Sequence, residues 1–290
     1  MSRNSNRIGA SSNNDNADQA PPQQQEMLEN PTSGFSFVVP TEFIDLPSEG
    51  RFYPENHPLY GQSTIELKQM TAKEEDILTS RTLIRKGIAL DRVISSLIVD
   101  RRIDPDSLLV GDRNALVIAI RTSAYGNVYE TKIACPACGA QQEYAFDLNE
   151  KEIYKGEDYE LSDCINNNDG TFSTVLPKTK IEVRFKLLTG HDEKRLINGA
   201  ENDRKSRKKE ERNVTRQLKN FIVSVNEDDS LKAINYVVEN MPSSDAHFLR
   251  LAYQNANPNV DLTQNFECES CSHEQLMEVP LTVDFFWPKR

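Results

Sequence analysis

The sequence predicts an α+β fold built from two copies of a helix-plus-hairpin unit. The units are joined by a four-cysteine, zinc-ribbon-like site and preceded by a disordered N-terminal tail. Three observations carry this. Two Cys-x-x-Cys knuckles stand far apart, at Cys135/Cys138 and Cys268/Cys271. Each has strand-like alternation on both sides, in "VYETKIA" and "QEYAFDL" around the first and "NFECESCSHEQLMEVPL" around the second. Finally, the residues around the two knuckles fall into a common register.

A shift of 133 positions places Asp112 on Asp245, Leu116 on Leu249 and Ala119 on Ala252. The same shift places Cys135 on Cys268, Cys138 on Cys271, Gln142 on Gln275 and Leu148 on Leu281. Further upstream, a shift of 118 aligns Ile65 with Val183, Thr71 with Thr189, Glu75 with Glu193 and Leu78 with Leu196. A helix, a strand, a knuckle and a strand therefore recur in one order, as an internal duplication and not a short-period solenoid.

The elements follow in chain order. Residues 1–34 are rich in Asn, Gln, Ser and Pro and offer little to bury, so a disordered tail is expected. Residues 35–61 mix prolines and glycines with Phe35, Phe37, Phe43, Phe52, Tyr53 and Tyr60. The prolines forbid a long helix, and an extended arm packing its aromatics on the body or a partner is expected. The first repeat spans 62–149. "STIELKQM" reads as a strand, and Thr71 with Glu74 forms a capping box. A helical pattern runs from Leu83 to Val99, and a further helix capped by Asp112 ends near Gly126. Residues 150–178 are expected to link the repeats. The second repeat, 179–290, reads as the strand "KIEVRFKLL", a helix capped by Thr189, a helical run "VTRQLKNFIVSV", and two more helices before its hairpin.

The chain has 290 residues, of which 37% are hydrophobic, and a formal net charge of −11. No run approaches the roughly 18–20 apolar residues of a membrane helix. The first residues contain no apolar core of a secretory signal, so the five cysteines are expected in a reducing compartment. There, paired Cys-x-x-Cys spacings favour metal chemistry over disulfides.

A closed structural zinc site takes four tetrahedral ligands, and thiolates satisfy it. Cys135, Cys138, Cys268 and Cys271 supply that number, so the expected cofactor is a structural Zn2+. Gly139 follows the first knuckle and enters a left-handed turn freely, whereas Ser272 holds the matching place in the second. Catalytic zinc keeps an open position, which four thiolates leave no room for. Iron in a rubredoxin-like site would use the same knuckles, but nothing else points to electron transfer. His273 could substitute as a ligand or stand in an exposed loop; Cys164 has no sequence partner and reads as a plain thiol.

The basic run at Arg204–Lys209 is flanked by Asp203, Glu210 and Glu211, and reads as a solvated helix end or a contact for an acidic partner. Carboxylates crowd the knuckles at Glu143, Asp147, Glu150, Glu267, Glu269 and Glu274, where they would repel phosphate. No Walker loop, GxGxxG, GxSxG or HExxH is present, and no catalytic residue is assigned.

"FIDLPSEGRFYPENHPLYG", "IELKQMTAKEEDILTS" and "LLVGDRNALVIAIRTSAYGNVYETKIACPACG" together resemble the T4-type phage baseplate protein family. These are hub subunits and hub-assembly proteins of contractile-tailed phages. The resemblance covers residues 40–148 well and the second half more loosely. It implies a structural or assembly role without catalysis, other baseplate and tail proteins as partners, and a place in the tail baseplate or in the host cytoplasm during assembly. The competing expectation is a zinc-ribbon nucleic-acid-binding protein acting in phage transcription or packaging.

Overall fold

The computed structural model describes residues 27–29, 36–205, 213–280 and 283–286. The chain forms two units, Met1–Val39 and Pro40–Arg290. In the first, β1 (Met27–Glu29) pairs antiparallel with β2 (Ser36–Val38), Leu28 opposite Phe37. The expected tail at 1–34 otherwise lies outside the described residues. Everything below belongs to the second unit.

The first repeat opens with an antiparallel pair, β3 (Thr41–Asp45) and β4 (Thr64–Lys68), in which Ile44 faces Ile65. The loop between them is most of the segment expected as an arm. Leu46, Phe52, Tyr53 and Leu59 from it are buried in the core, while Phe43 and Tyr60 stay exposed. This loop thus docks on its own body. α1 (Ala72–Thr79) starts as expected: the Glu74 carboxylate accepts from the Thr71 backbone N–H at 3.1 Å and from its hydroxyl at 2.6 Å. α2 (Arg81–Arg85) and α3 (Ala89–Leu97) replace the single helix expected from Leu83 to Val99. Gly87, in the left-handed region at φ +67°, breaks it between them. α3 buries Val93, Ile94 and Leu97, then Ile98 bridges back to Leu67 on β4.

α4 (Val110–Tyr125) follows a single turn of 3-10 helix at Pro105–Ser107. Its cap is Leu109, and Asp112, expected at the cap, lies inside the first turn and is fully buried. The hairpin β5 (Val128–Ala134) and β6 (Gln141–Asp147) completes the repeat.

Residues 150–178, expected as a linker, carry β7 (Glu152–Tyr154), β8 (Ile165–Asn166) and β9 (Thr171–Val175). β9 pairs with β10 (Glu182–Lys186) just as β3 pairs with β4, so the second repeat's first hairpin begins at Thr171. α5 (Gly190–Lys205) begins directly after Thr189, and α6 (Asn213–Phe221) follows. The expected helical run through "FIVSV" stops at Phe221. β-branched Ile222, Val223 and Val225 form β11 (Ile222–Val225) on the edge of the sheet β11-β10-β9-β8. α7 (Leu231–Asn240), α8 (Ser243–Ala256) and β12 (Asn259–Asp261) come next, β12 pairing with β7. The hairpin β13 (Thr263–Glu267) and β14 (Glu274–Glu278) ends the repeat.

The duplication is therefore structural. Ala89–Leu97 and Asn213–Phe221 are both nine-residue helices, and each is followed by a residue that returns to the strand before it, Ile98 to Leu67 and Ile222 to Phe185. The capping geometry recurs as well, with the Asp192 carboxylate accepting from the Thr189 N–H at 3.1 Å and its hydroxyl at 3.0 Å. The sequence offset widens along the chain because the second repeat lengthens its first helix and inserts α7 where the first repeat has one 3-10 turn.

The repeats share one hydrophobic core. They also exchange backbone bonds, Val110 N–H to Leu188 O and Gly190 N–H to Leu108 O, both 3.0 Å. Beside them Arg113 pairs with Asp91, and Lys194 reaches Asp106 at 2.6 Å. Gly111 sits where α4 meets the second repeat: a Cβ there would lie 1.8 Å from the Pro258 carbonyl oxygen. Gly111→Ala is expected to cost on the order of 3 kcal/mol, since overpacking against backbone has nowhere to relax. Gly199→Ala, whose Cβ would meet nothing closer than 3.5 Å, should be neutral or stabilising. Urea unfolding of the two variants checks the contrast. Among the described residues no helix is long and apolar enough to cross a membrane.

Candidate metal centre

Each knuckle is a tight turn at the tip of a hairpin. In the first, the Cys135 carbonyl accepts from Gly139 N–H at 2.8 Å and the Cys135 N–H donates to Ala140 O at 2.8 Å. In the second, Cys268 O accepts from Ser272 N–H at 2.8 Å and Cys268 N–H donates to His273 O at 2.9 Å. The turns match bond for bond. Gly139 takes φ +74° and Ser272 takes φ +53°, so the second knuckle adopts the same left-handed residue without glycine. That costs roughly 1 kcal/mol and leaves the turn unchanged.

The hairpins are held side by side through side chains. The Gln142 amide donates to Glu267 O at 2.9 Å, and its oxygen accepts from Glu269 N–H at 3.0 Å. The Tyr144 hydroxyl donates to Asn265 O, and the Gln264 side chain clasps the backbone of Asp147 at both its N–H and carbonyl. Phe266 packs against Tyr144 with ring centroids 5.4 Å apart. The buried Arg121 guanidinium donates to the carbonyls of Phe285, Gly126 and Val128, clamping the C-terminal 3-10 turn Val283–Phe286 to α4 and to the start of β5.

These contacts bring all four predicted cysteines together. Their sulfurs lie within 4.8 Å of one another. Cys135 to Cys271 is 3.8 Å and Cys138 to Cys268 is 3.7 Å, each pair spanning the two repeats. A tetrahedral ion with bonds of about 2.3 Å needs sulfurs about 3.8 Å apart, so the spacing fits a closed tetrathiolate. Cys135 and Cys268 are buried, Cys138 and Cys271 exposed, which gives an ion a route in from solvent.

The thiols are electrostatically unequal. The backbone N–H groups of Cys138 and Ala137, with neighbouring thiols, pull Cys135 down to about 6. At Cys271 the His273 N–H pulls downward, but the surrounding thiols Cys138, Cys268 and Cys135 push it up to about 12. Four sulfurs in one small volume cannot all ionise against each other, and a cation removes that conflict. The site can hold a metal ion.

The other sequence candidates stand apart. His273 turns its Nε2 toward Gln275 at 3.4 Å and is not in the sulfur cluster. Cys164 is buried near Ser162, and burial lifts its thiol to about 11, as suits an inert core cysteine. Of the basic run, Arg204 and Lys205 end α5, and residues 206–209 lie outside the described residues. Sequence reasoning missed the Gln142 bridge and the roles of the buried aspartates Asp112 and Asp245. The shared register of those aspartates was the signal that could have found them.

No curated protein and no solved structure matches the chain. A family described as T4 bacteriophage base plate protein matches residues 41–287, nearly the whole second unit with both repeats and both knuckles. The chain belongs to the family of T4 bacteriophage base plate proteins.

Proposed function

We propose that the protein is a non-enzymatic building or assembly component of the baseplate hub, a hub subunit or hub-assembly factor, whose two repeats are locked together by one structural zinc. The observation that carries this reading is the convergence of four sulfurs, two from each repeat, at tetrahedral spacing. Zinc bound there by Cys135, Cys138, Cys268 and Cys271 would supply stability and no open coordination position, so it would hold the fold and leave chemistry aside. Its partners are then other baseplate and tail proteins, met in the tail baseplate or in the host cytoplasm during assembly. Affinity capture of the tagged chain from infected cells tests this: hub proteins should co-purify with wild type, and their absence would overturn the hub assignment.

The nucleic-acid reading finds no support in the site. The outer face of the second hairpin sets Glu267 directly opposite Glu274, with Glu278 beyond, all exposed. Phosphate would be repelled there. The expected result is no measurable DNA binding at about 0.15 M salt, where the Debye length is about 8 Å. Labelled duplex and single-stranded DNA titrated against wild type, and against a variant with Arg204, Lys205, Arg207, Lys208 and Lys209 changed to Ser, checks it. Binding that vanishes in the variant and with added salt would favour the nucleic-acid function instead.

A further inference from the structure

The two repeats treat the same sheet edge differently. In the second, β9 lies between β10 and β8, in the order β11-β10-β9-β8. In the first, β3 pairs with β4 alone. The registers allow a residue-by-residue comparison. Ile44 faces Ile65 as Thr174 faces Val183, so Phe43 is the counterpart of Ser173. Ile165 of β8 stands directly across from Ser173. Among the described residues no strand stands at the matching place beside Phe43.

The backbone of β3 is free to pair on that side. Leu46 N–H donates to Ser63 O at 2.8 Å, and Gln69 N–H donates to Pro40 O at 2.9 Å. An antiparallel ladder bonds at every second residue, so Glu42 and Ile44 also spend their backbone groups on β4. Thr41, Phe43 and Asp45 then turn their N–H and C=O groups to the open edge. Phe43 is 51% exposed there. A row of unpaired groups with an exposed aromatic is a template for another strand.

Glu66 gives an independent sign of what completes the edge. It lies directly opposite Phe43, and its Oε1 is covered from solvent yet has no hydrogen-bond partner. Buried side-chain oxygens are normally paired. The duplicated scaffold does not require the orphan: its counterpart Arg184 is bonded to Asp169 and to the Thr171 hydroxyl. β3 itself carries Glu42 and Asp45 and no basic residue. A second copy of the chain pairing through this edge would bring like charges together, which is unfavourable across a ladder. A basic strand would instead meet them with opposite charge.

We propose that the open edge of β3 docks an extended basic segment of a partner protein, which adds a strand beside β3 as β8 adds one beside β9 and brings a lysine or arginine to Glu66. Strand addition of this kind draws affinity from main-chain bonds and specificity from alternate side chains. The site stands on its own whether or not the hub assignment holds, and it gives the first repeat a contact function that the second has closed with its own chain.

Fluorescence anisotropy on the full chain tests the proposal, with a labelled peptide of alternating lysine and valine about eight residues long, enough to span β3. Saturable binding is expected. The same peptide methylated at every internal backbone nitrogen keeps its charges and loses its main-chain donors, and should bind at least about tenfold more weakly. A peptide of alternating glutamate and valine should not bind. Glu66→Gln should weaken binding of the lysine peptide several-fold. Phe43→Pro should abolish it, because proline removes an outward N–H that β4 does not use and is tolerated on edge strands. The melting temperature of that variant checks that the fold persists. Sedimentation of the chain without peptide tests the other occupant: a dimer that Phe43→Pro abolishes would give the edge to a second copy and overturn the proposal. Equal binding of the methylated and unmodified peptides, or no binding to wild type, would overturn it as well.

Discussion

Cys268→Ser is expected to abolish metal binding and to lower the melting temperature by more than 10 °C or so. Apparent binding energies of structural zinc sites run about 10–16 kcal/mol at neutral pH, comparable to the whole stability of a domain. Here the ion would close a span of 130 residues between Cys138 and Cys268, so its loss frees the two hairpins from each other. The remaining contacts, chiefly the Gln142 and Gln264 bridges, would hold the hairpins only weakly. For a chain of this size each 1 kcal/mol shifts the melting temperature by roughly 2–4 °C, so even a partial loss of several kcal/mol is easily read. Elemental analysis should find one zinc per wild-type chain and almost none in Cys268→Ser. A chelator should move wild type toward the variant, while Cys164→Ser should keep its metal. A well-folded wild type without metal, or with two ions per chain, would sink the zinc staple; iron in place of zinc would correct its identity.

The site was legible because its chemistry is local. A Cys-x-x-Cys turn requires nothing beyond a few residues, and two such turns in a common register announce both ligand count and duplication. Thr71 with Glu74, and Thr189, could be read for the same reason: a cap is decided within one turn. What escaped the sequence depends on distant partners. Ile222–Val225 continues a helical pattern on paper, but β10 offers an open edge and the β-branched residues take it. Phe52 and Tyr53 lie in a proline-rich stretch whose burial is visible only once Phe172 and Asp112 are in place beside them. Asp112 is the clearest case. In sequence an aspartate in the first turn of a helix is a cap; in the fold its carboxylate turns away from the helix to serve a loop 64 residues earlier.

That carboxylate underlies the second large effect. Asp112 accepts from the Ser48 N–H at 2.9 Å, the Ser48 hydroxyl at 2.6 Å and the Tyr53 hydroxyl at 2.7 Å. The Ser48 oxygen in turn accepts from Gly50 N–H, and the Tyr53 oxygen from Leu109 N–H. Asp112→Ala would strand three buried donors at once, and a loss of about 3–5 kcal/mol is expected by chemical unfolding. Asp245, its counterpart in the second repeat, accepts from Lys178 N–H, Thr179 N–H and the Thr179 hydroxyl, each at 2.8–2.9 Å. Asp245→Ala should cost less, about 2–3 kcal/mol, because fewer of its donors are buried. The two should also answer pH in opposite senses. Burial raises the Asp112 carboxyl above its usual value despite its three donors, so the folded state holds that proton more tightly than the unfolded state. Its contribution is therefore full at low pH and declines as pH rises through the raised value. At Asp245 burial also pushes upward, but the Thr179 hydroxyl and the two backbone N–H groups outweigh it and hold the carboxyl low. Its contribution is full above the ordinary carboxylate range and is lost as pH falls through the lowered value. Stability curves measured from about pH 3 to pH 8 should thus show the Asp245→Ala deficit shrinking in acid and the Asp112→Ala deficit growing. Deficits that move together would mean that the duplicated aspartates share one environment after all.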